Sequence, residues 1–490
     1  MTAFSSRHSG DLGGRLTPFA DAHQLAVRIH ISEVDAPSAA AQHVASMLVN
    51  MLSRLEGVVK SVAIDCPTRV PLAGRVAPLS HCDEPLDQAL VGMCKRIGVV
   101  PLGTSPSQIL IHVGREAESG ADLNVYGEAW WGGIFTHSVA GTGESALPFG
   151  PYIAAAIATG EIFKLARILP SKRTARRDVF FSAWSHIASA LPDTGGPNEI
   201  TSVLEKVGLA GVGAVGCAFL HALWAMDAVG TLEIADNDAH GVEDTNLNRY
   251  CLFGANSIGK QKAFEAQRIL SDARFRINAS DKSFDVLYDQ QPNRFDLVVS
   301  AVDSNEARAM IQDKYPPVTL SASTLDLRAE VLRCGPPGEG ACLRCFNPPP
   351  MKPSDEELRV SLSQMPAKLA AMVGELVVSS DEAREWVESG KCSETGSRML
   401  EMLQRNHREP LQFAVPFVSV MAGTLLAAET IKQLAGGHGC LDGQTNRVSI
   451  QFFDPLARGN ARTFLGRDHR CPKCADGPAL QIWKTRFKGI

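Results

Sequence analysis

Apolar residues in this chain fall in short runs separated by longer amphipathic stretches, and one alternation organises the rest. From Val207 an apolar run leads into three glycines and an Ala- and Leu-rich stretch. A second apolar run (TLEIA) then ends at Asp236. That order predicts a β-α-β unit. The same order occurs earlier: Leu25–Ile31 (LAVRIHI) reads as a strand, Ser38–Leu55 as a helix and Val58–Asp65 as a strand. Asp65 thus falls where Asp236 falls. Ile109–Val113 reads as a further strand. The segment FDLVVSAVDSNEARAMI reads as a buried strand ending in a loop, with Asp303 at its tip. Two small-residue-rich stretches, Pro151–Ala166 and Pro416–Ala435, each carry a late glutamate followed by a lysine. The pattern predicts an α/β fold with a degenerate internal repeat, or else an unrelated first α/β domain of similar local texture. The segment from Ser171 to Asn198, with clusters of Arg, Pro and Gly, reads as the linker between halves. The aromatic patch at Trp130, Trp131 and Gly132 reads as core or interface.

The three glycines, Gly211, Gly213 and Gly216, form G-x-G-x-x-G. Such a turn brings backbone N–H groups at a helix N-terminus against phosphate, and an acid about 20 residues on holds a ribose hydroxyl. Asp236 stands there. By itself this motif fits a nicotinamide-dependent oxidoreductase equally well. Beyond Asp236 the chain departs from that pattern, with a second acid, Asp238, then Asn246, Leu247, Asn248, Arg249 and, farther on, Lys262. Two cations just beyond a nucleotide loop suit a triphosphate, whose charge grows during attack at the α-phosphorus. The corresponding loop of the first half, ISEVDAPSA, contains no glycine and is not expected to approach a phosphate closely.

With 490 residues, the chain has length for two or three domains. A net charge of −5 with 21% charged residues does not suggest a nucleic-acid surface. The N-terminus lacks the layout of a signal peptide, and the apolar stretch Phe413–Ala428 is short for a membrane span. No membrane association is expected. The chain has 12 cysteines, and Cys342/Cys345 and Cys471/Cys474 form two C-x-x-C pairs, which points to a reducing, cytoplasmic setting. Together the pairs suit a closed, structural Cys₄ site for Zn²⁺. Cys66, Cys82 and Cys94 lack metal-like spacing and read as structural thiols, as do Cys217 and Cys251 in the core.

The glycine loop, the D-x-D at Asp236 and Asp238, the N-L-x-R box at Asn246–Arg249, Lys262 and the later acid Asp303 together resemble the E1-like superfamily of ThiF, MoeB and ubiquitin-activating adenylyltransferases. The layout is most similar to the E1-like proteins of bacterial Bil-type antiphage conjugation operons. The resemblance implies two Rossmann-like adenylation domains. The first, residues 1–196 with the linker, would be inactive. The second, 197–490, would be active, with a crossover and cysteine insertion at 347–410. It implies ATP and Mg²⁺ as cofactors, with Gly211, Gly213 and Gly216 on the phosphates and Asp236 or Asp238 at ribose or Mg²⁺. Asn246, Arg249 and Lys262 would contact phosphates, and Asp303 would lie near Mg²⁺. Implied partners are a ubiquitin-like β-grasp protein and an E2-like protein. Inactive–active pairing would lie within the chain, and a higher oligomer is compatible with it. Cys392 stands in the insertion where a thioester cysteine is found, or is an incidental surface residue; Cys440 is a weaker candidate. Three positions depart from the pattern: a longer connection to Asn246, Tyr250 in place of glutamine, and Ser304 in place of asparagine. Only a short tail follows Cys474, so no ubiquitin-fold domain is expected there. A sulfur-carrier-protein adenylyltransferase of the thiamine or molybdopterin type, and an NAD(P)-binding oxidoreductase, are the alternatives.

Overall fold

Two sheets of like topology, joined through a pair of long buried helices, make up most of the molecule. The computed structural model describes residues 24–487 apart from 81–82, 104–106, 168–176, 291–293, 326, 349–354, 391–392, 407–413, 438, 440 and 457–461. In the first half, β1 (Leu25–Ile31), α1 (Ala39–Leu52) and β2 (Val59–Asp65) form the expected unit. Then come α2 (Leu86–Ile97), β3 (Ile109–Val113), β4 (Leu123–Glu128), β5 (Trp131–Phe135), α3 (Phe149–Arg167), β6 (Val179–Ser182) and β7 (Ala188–Ser189). The Ser38 side chain caps α1 by accepting the Ala41 N–H at 3.2 Å, satisfying one of the helix's orphan donors.

The second half contains β8 (Val203–Ala210), α4 (Ala214–Ala225), β9 (Val229–Ala235), α5 (Lys262–Ile269) and β10 (Phe275–Ser280). It continues through α6 (Phe284–Gln290), β11 (Leu297–Ser300), α7 (Asn305–Asp313), β12 (Val318–Leu325), β13 (Arg328–Cys334) and α8 (Leu343–Phe346). The sheets run β2-β1-β3-β4-β5-β6-β7 and β10-β9-β8-β11-β12-β13-β14-β15, the last two being Arg447–Gln451 and Arg462–Thr463. Each is parallel as far as β4 or β12 and antiparallel beyond. Strand for strand the order and polarity agree, with β10 added at one edge of the second sheet.

A smaller unit spans Pro349–Gln412. Among its described residues are four helices, α9 (Asp355–Ser363), α10 (Pro366–Leu376), α11 (Ser380–Ser389) and α12 (Glu394–Asn406). These enclose their own core of Leu358, Leu362, Met372, Trp386, Met399 and Leu403. After it comes α13 (Pro416–Leu434), and a last helix, α14, covers Pro478–Phe487.

The Glu-x-x-Lys echo in the sequence marks α3 and α13, which pack on each other through Phe163 and Phe417, ring centroids 5.5 Å apart. Glu161 pairs with Lys164 at 2.5 Å, both about 1% exposed, and Glu429 pairs with Lys432 in the same manner. Gly423 lets α13 press onto α4, since a Cβ there would lie 2.4 Å from the Ala218 Cβ. The Tyr152 hydroxyl meets His221 Nδ1 at 2.8 Å and links α3 to α4. Trp130 and Trp131 are core residues. Part of the stretch read from sequence as a linker is not one: β6 and β7 are strands of the first sheet, paired to β5 and to each other. The apolar run VFFS, only four residues between Arg- and Pro-rich clusters, carries too little periodicity to stand out. Among the described residues no helix is long and apolar enough to cross a membrane.

Candidate active site

The second sheet has a switch point beside β8. The chain leaves β8 for β9 and β10 on one side, then returns to β11 on the other. Register places Ala210 opposite both Ala235 and Ser300, so the loops at 211, 236 and 301 leave the same edge. Open α/β sheets bind ligands at this position. Gly211 has φ +89°, a region that favours glycine, and its N–H bonds to Ala235 O at 2.8 Å. A Cβ on Gly216 would stand 2.2 Å from Gly211 O, so only glycine lets α4 begin this close to the loop. A Cβ on Gly213 would meet, within 4 Å, just the Tyr250 hydroxyl, at 3.6 Å. The N-terminus of α4 therefore opens toward Tyr250.

Around that opening the acids and cations have separate partners. Asp236 accepts the Val212 N–H at 2.7 Å and the Asp238 N–H at 3.1 Å, bracing the glycine loop. Asp238 pairs instead with Lys262 Nζ at 2.5 Å. Lys262 is 6% exposed and lies 5.5 Å above the Tyr250 ring, with the Arg249 guanidinium 5.3 Å from the same ring. Burial works against the Lys262 charge, but Tyr250, Asp238 and Asp236 outweigh it and hold the ammonium above the ordinary lysine value. Partial burial likewise disfavours the Asp238 carboxylate, yet Lys262 and the His240 N–H pull it below its usual range. Both groups are thus charged at neutral pH. Asn246 is buried and its Oδ1 accepts the Glu243 N–H at 3.0 Å, closing the short turn that carries Arg249.

Asp303 lies exposed just beyond β11. Its loop is braced from beneath by Arg308, which donates to Val302 O at 2.8 Å and Asn305 Oδ1 at 2.9 Å. Ser304, in place of the resembling family's asparagine, caps α7 by accepting the Ala307 N–H at 3.0 Å. Two residues have supporting roles that the sequence reading did not give them. Tyr250 forms the platform shared by both cations, and Arg54 reaches across from the turn after α1. Arg54 is 1% exposed and donates to the carbonyls of Leu247, Cys251 and Phe253 at 2.8, 3.1 and 2.8 Å. Asn50 accepts from it at 2.8 Å. The signal was present as an Asn near the end of α1 and an Arg four residues on, in the turn that follows the helix.

The four thiols of the C-x-x-C pairs converge. Cys342 Sγ stands 3.7 Å from both Cys345 and Cys471, and Cys345 stands 3.2 Å from Cys474. Sulfurs bound at about 2.3 Å to one tetrahedral ion stand ~3.8 Å apart, so the donor set fits Zn²⁺. All four positions are protein sulfur, so zinc held here would tie the segment before α14 to the turn at α8. Cys471→Ser should remove one zinc equivalent and lower the melting temperature; a melting temperature unchanged after zinc loss would contradict the structural role. Cys66 is half-buried, while Cys94, Cys217 and Cys251 are buried. Cys82, Cys392 and Cys440 lie outside the described residues.

Comparison with known proteins matches residues 187–473 to the ThiF family and residues 26–183 to the BilD N-terminal domain. The chain is 23% identical over 462 residues to the "Uncharacterized protein y4jF" of Sinorhizobium fredii, covering 88% of this chain and 84% of that one. It is 30% identical over 169 residues to the "Adenylyltransferase and sulfurtransferase UBA4" of Meyerozyma guilliermondii, 31% of this chain and 37% of that protein. The match therefore spans little more than a third of that relative's length. Among solved structures, E. coli MccB aligns over 56% of this chain and 66% of its own, at 18% identity and a TM-score of 0.38.

Proposed function

The chain belongs to the ThiF family of E1-like adenylyltransferases, and on that premise we propose that it activates a ubiquitin-like β-grasp protein by adenylating its C-terminal carboxylate. The observation that carries this reading is the Lys262 ammonium, held by Asp238 and stacked with Arg249 on Tyr250 at the mouth of the glycine loop. ATP, as substrate, supplies an α-phosphorus to which a carboxylate oxygen bonds as the bond to pyrophosphate breaks. The α4 N-terminus and Gly213 receive phosphate oxygens through backbone N–H groups. Lys262 and Arg249 offset the negative charge that accumulates on those oxygens. Asp303, exposed beside the loop, is the carboxylate placed to hold Mg²⁺, and Asp236 is the acid at the ribose position. An oxidoreductase has no need of paired cations here, which disfavours the nicotinamide reading.

The first half is the inactive partner in this proposal. Where the second half has its glycine loop, the β1–α1 connection contains Asp35, 1% exposed and paired with Arg115 at 2.6 Å. Asp35 also accepts the Arg115 N–H at 3.0 Å. A built-in carboxylate thus stands where phosphate oxygens would otherwise be received. The halves are 1–196 and 197–490, with the insertion at 347–410 as the crossover and cysteine segment. The match to the BilD N-terminal domain supports a role in antiphage conjugation, and the free thiols among the described cysteines suit the cytoplasm. Similarity to an adenylyltransferase and sulfurtransferase favours sulfur-carrier activation as the second reading.

Thioester formation separates the two. In the conjugating reading the Cys392 thiolate attacks the acyl-adenylate, AMP leaves, and the modifier is held as a thioester for an E2-like partner. Cys392→Ala should then leave pyrophosphate exchange intact while eliminating the adduct that reductant releases on a gel. Persistence of that adduct in the variant would remove Cys392 from the chemistry and make Cys440 the thiol to test.

A further inference from the structure

We propose that His30, His112 and Glu118, at the strand ends of the first sheet, form a second metal site, for a zinc-class divalent ion. The inference rests on geometry in the first half and is independent of the adenylation reading. Strands β1 and β3 are parallel neighbours, and their register sets His30 directly opposite His112. In-register neighbours project to the same face of a sheet. The two Nδ1 atoms stand 3.1 Å apart, and Glu118 Oε2 lies 3.8 Å from the one and 3.6 Å from the other. Ligands bound to one ion at about 2.0–2.1 Å stand ~3.0–3.4 Å apart. The imidazole pair already meets that spacing, and a small rotation of the Glu118 side chain, 43% exposed, closes the rest.

The surroundings hold these groups as ligand supports do. The Glu118 N–H is held by Asn124 Oδ1 at 2.8 Å, and the Ala117 N–H by Ser138 Oγ at 3.0 Å, so the loop carrying the carboxylate is anchored at successive residues. Gly114 leaves the room: a Cβ there would stand 3.0 Å from His112 Nε2 and 2.8 Å from the Ser32 Cβ. Two imidazoles and one carboxylate suit zinc and its borderline neighbours better than Mg²⁺ or Ca²⁺. With the His30 side chain 33% exposed, an ion can enter from solvent and keep positions for water or an outside ligand.

The test is zinc content of the full-length protein equilibrated with micromolar free Zn²⁺, measured by mass spectrometry of the metal. Wild type should hold two zinc ions per chain, one of them lost in Cys471→Ser. His30→Asn and Glu118→Gln change partly exposed side chains, so folding is preserved. Each should weaken the other ion by about tenfold or more while the Cys₄ zinc remains. A single zinc in wild type, or a second zinc retained undiminished in both variants, would overturn the proposal.

Discussion

Replacing Lys262 or Arg249 with alanine should reduce ATP–pyrophosphate exchange about a hundred- to a thousandfold, ~2.7–4 kcal/mol of transition-state stabilisation for each preorganised donor removed. Lys262 is the more severe case. It is 6% exposed, and its loss removes the ammonium that pairs with the Asp238 carboxylate. Arg249 is half-buried on the Tyr250 ring, where the contact fixes the guanidinium before substrate arrives. Because both cations act on the same developing charge, the double variant should be little worse than the poorer single one. Steady-state exchange at several ATP concentrations checks this. The predicted loss falls in the maximal rate, and a loss confined to the apparent ATP affinity would assign both residues to ground-state binding alone.

The second large effect concerns stability. Arg54→Leu should destabilise the chain by about 3–5 kcal/mol, since it strands carbonyls that a buried charge now satisfies. Arg54 joins the turn after α1 to the Leu247–Phe253 segment, so the change separates the first half from the loop that carries Arg249 and Tyr250. Its burial drives the guanidinium down to about 10, still charged at neutral pH. Arg54→Lys retains charge but cannot span carbonyls from three residues with one planar fork, and should recover only part of the loss. Chemical denaturation followed by tryptophan fluorescence and circular dichroism would read both. A cost below about 1 kcal/mol for Arg54→Leu would mean that water replaces the arginine freely.

These residues also mark how far the amino-acid sequence could be read. The β-α-β units and the paired helices α3 and α13 were legible because their apolar spacing and small-residue content are local properties. The glycine loop and C-x-x-C pairs were legible because spacing alone limits what such residues can do. The cross-chain devices were not. Asp35 and Arg115 are 80 residues apart, and nothing near either announces a buried ion pair. Arg54 and its carbonyl partners are separated by nearly 200 residues. Asn246 fits a phosphate ligand in sequence, yet its Oδ1 holds the turn that presents Arg249. The choice between Asp236 and Asp238 was open for a related reason. Both lie in the loop after β9, and only the position of Lys262 on α5 separates the loop-bracing acid from the lysine-anchoring one. His30 and His112 drew no notice because single histidines on two distant strands become a pair only through sheet register.

The decisive measurement is the mass of a β-grasp protein ending in Gly-Gly after brief incubation with the full chain, ATP and Mg²⁺. The predicted result is a C-terminal carboxylate carrying AMP, with pyrophosphate released in equal amount, and neither product formed by Asp303→Ala. Hydrolysis of ATP to ADP without an acyl-adenylate, or an unmodified carboxylate across a panel of such proteins, would contradict adenylation as the reaction of this site.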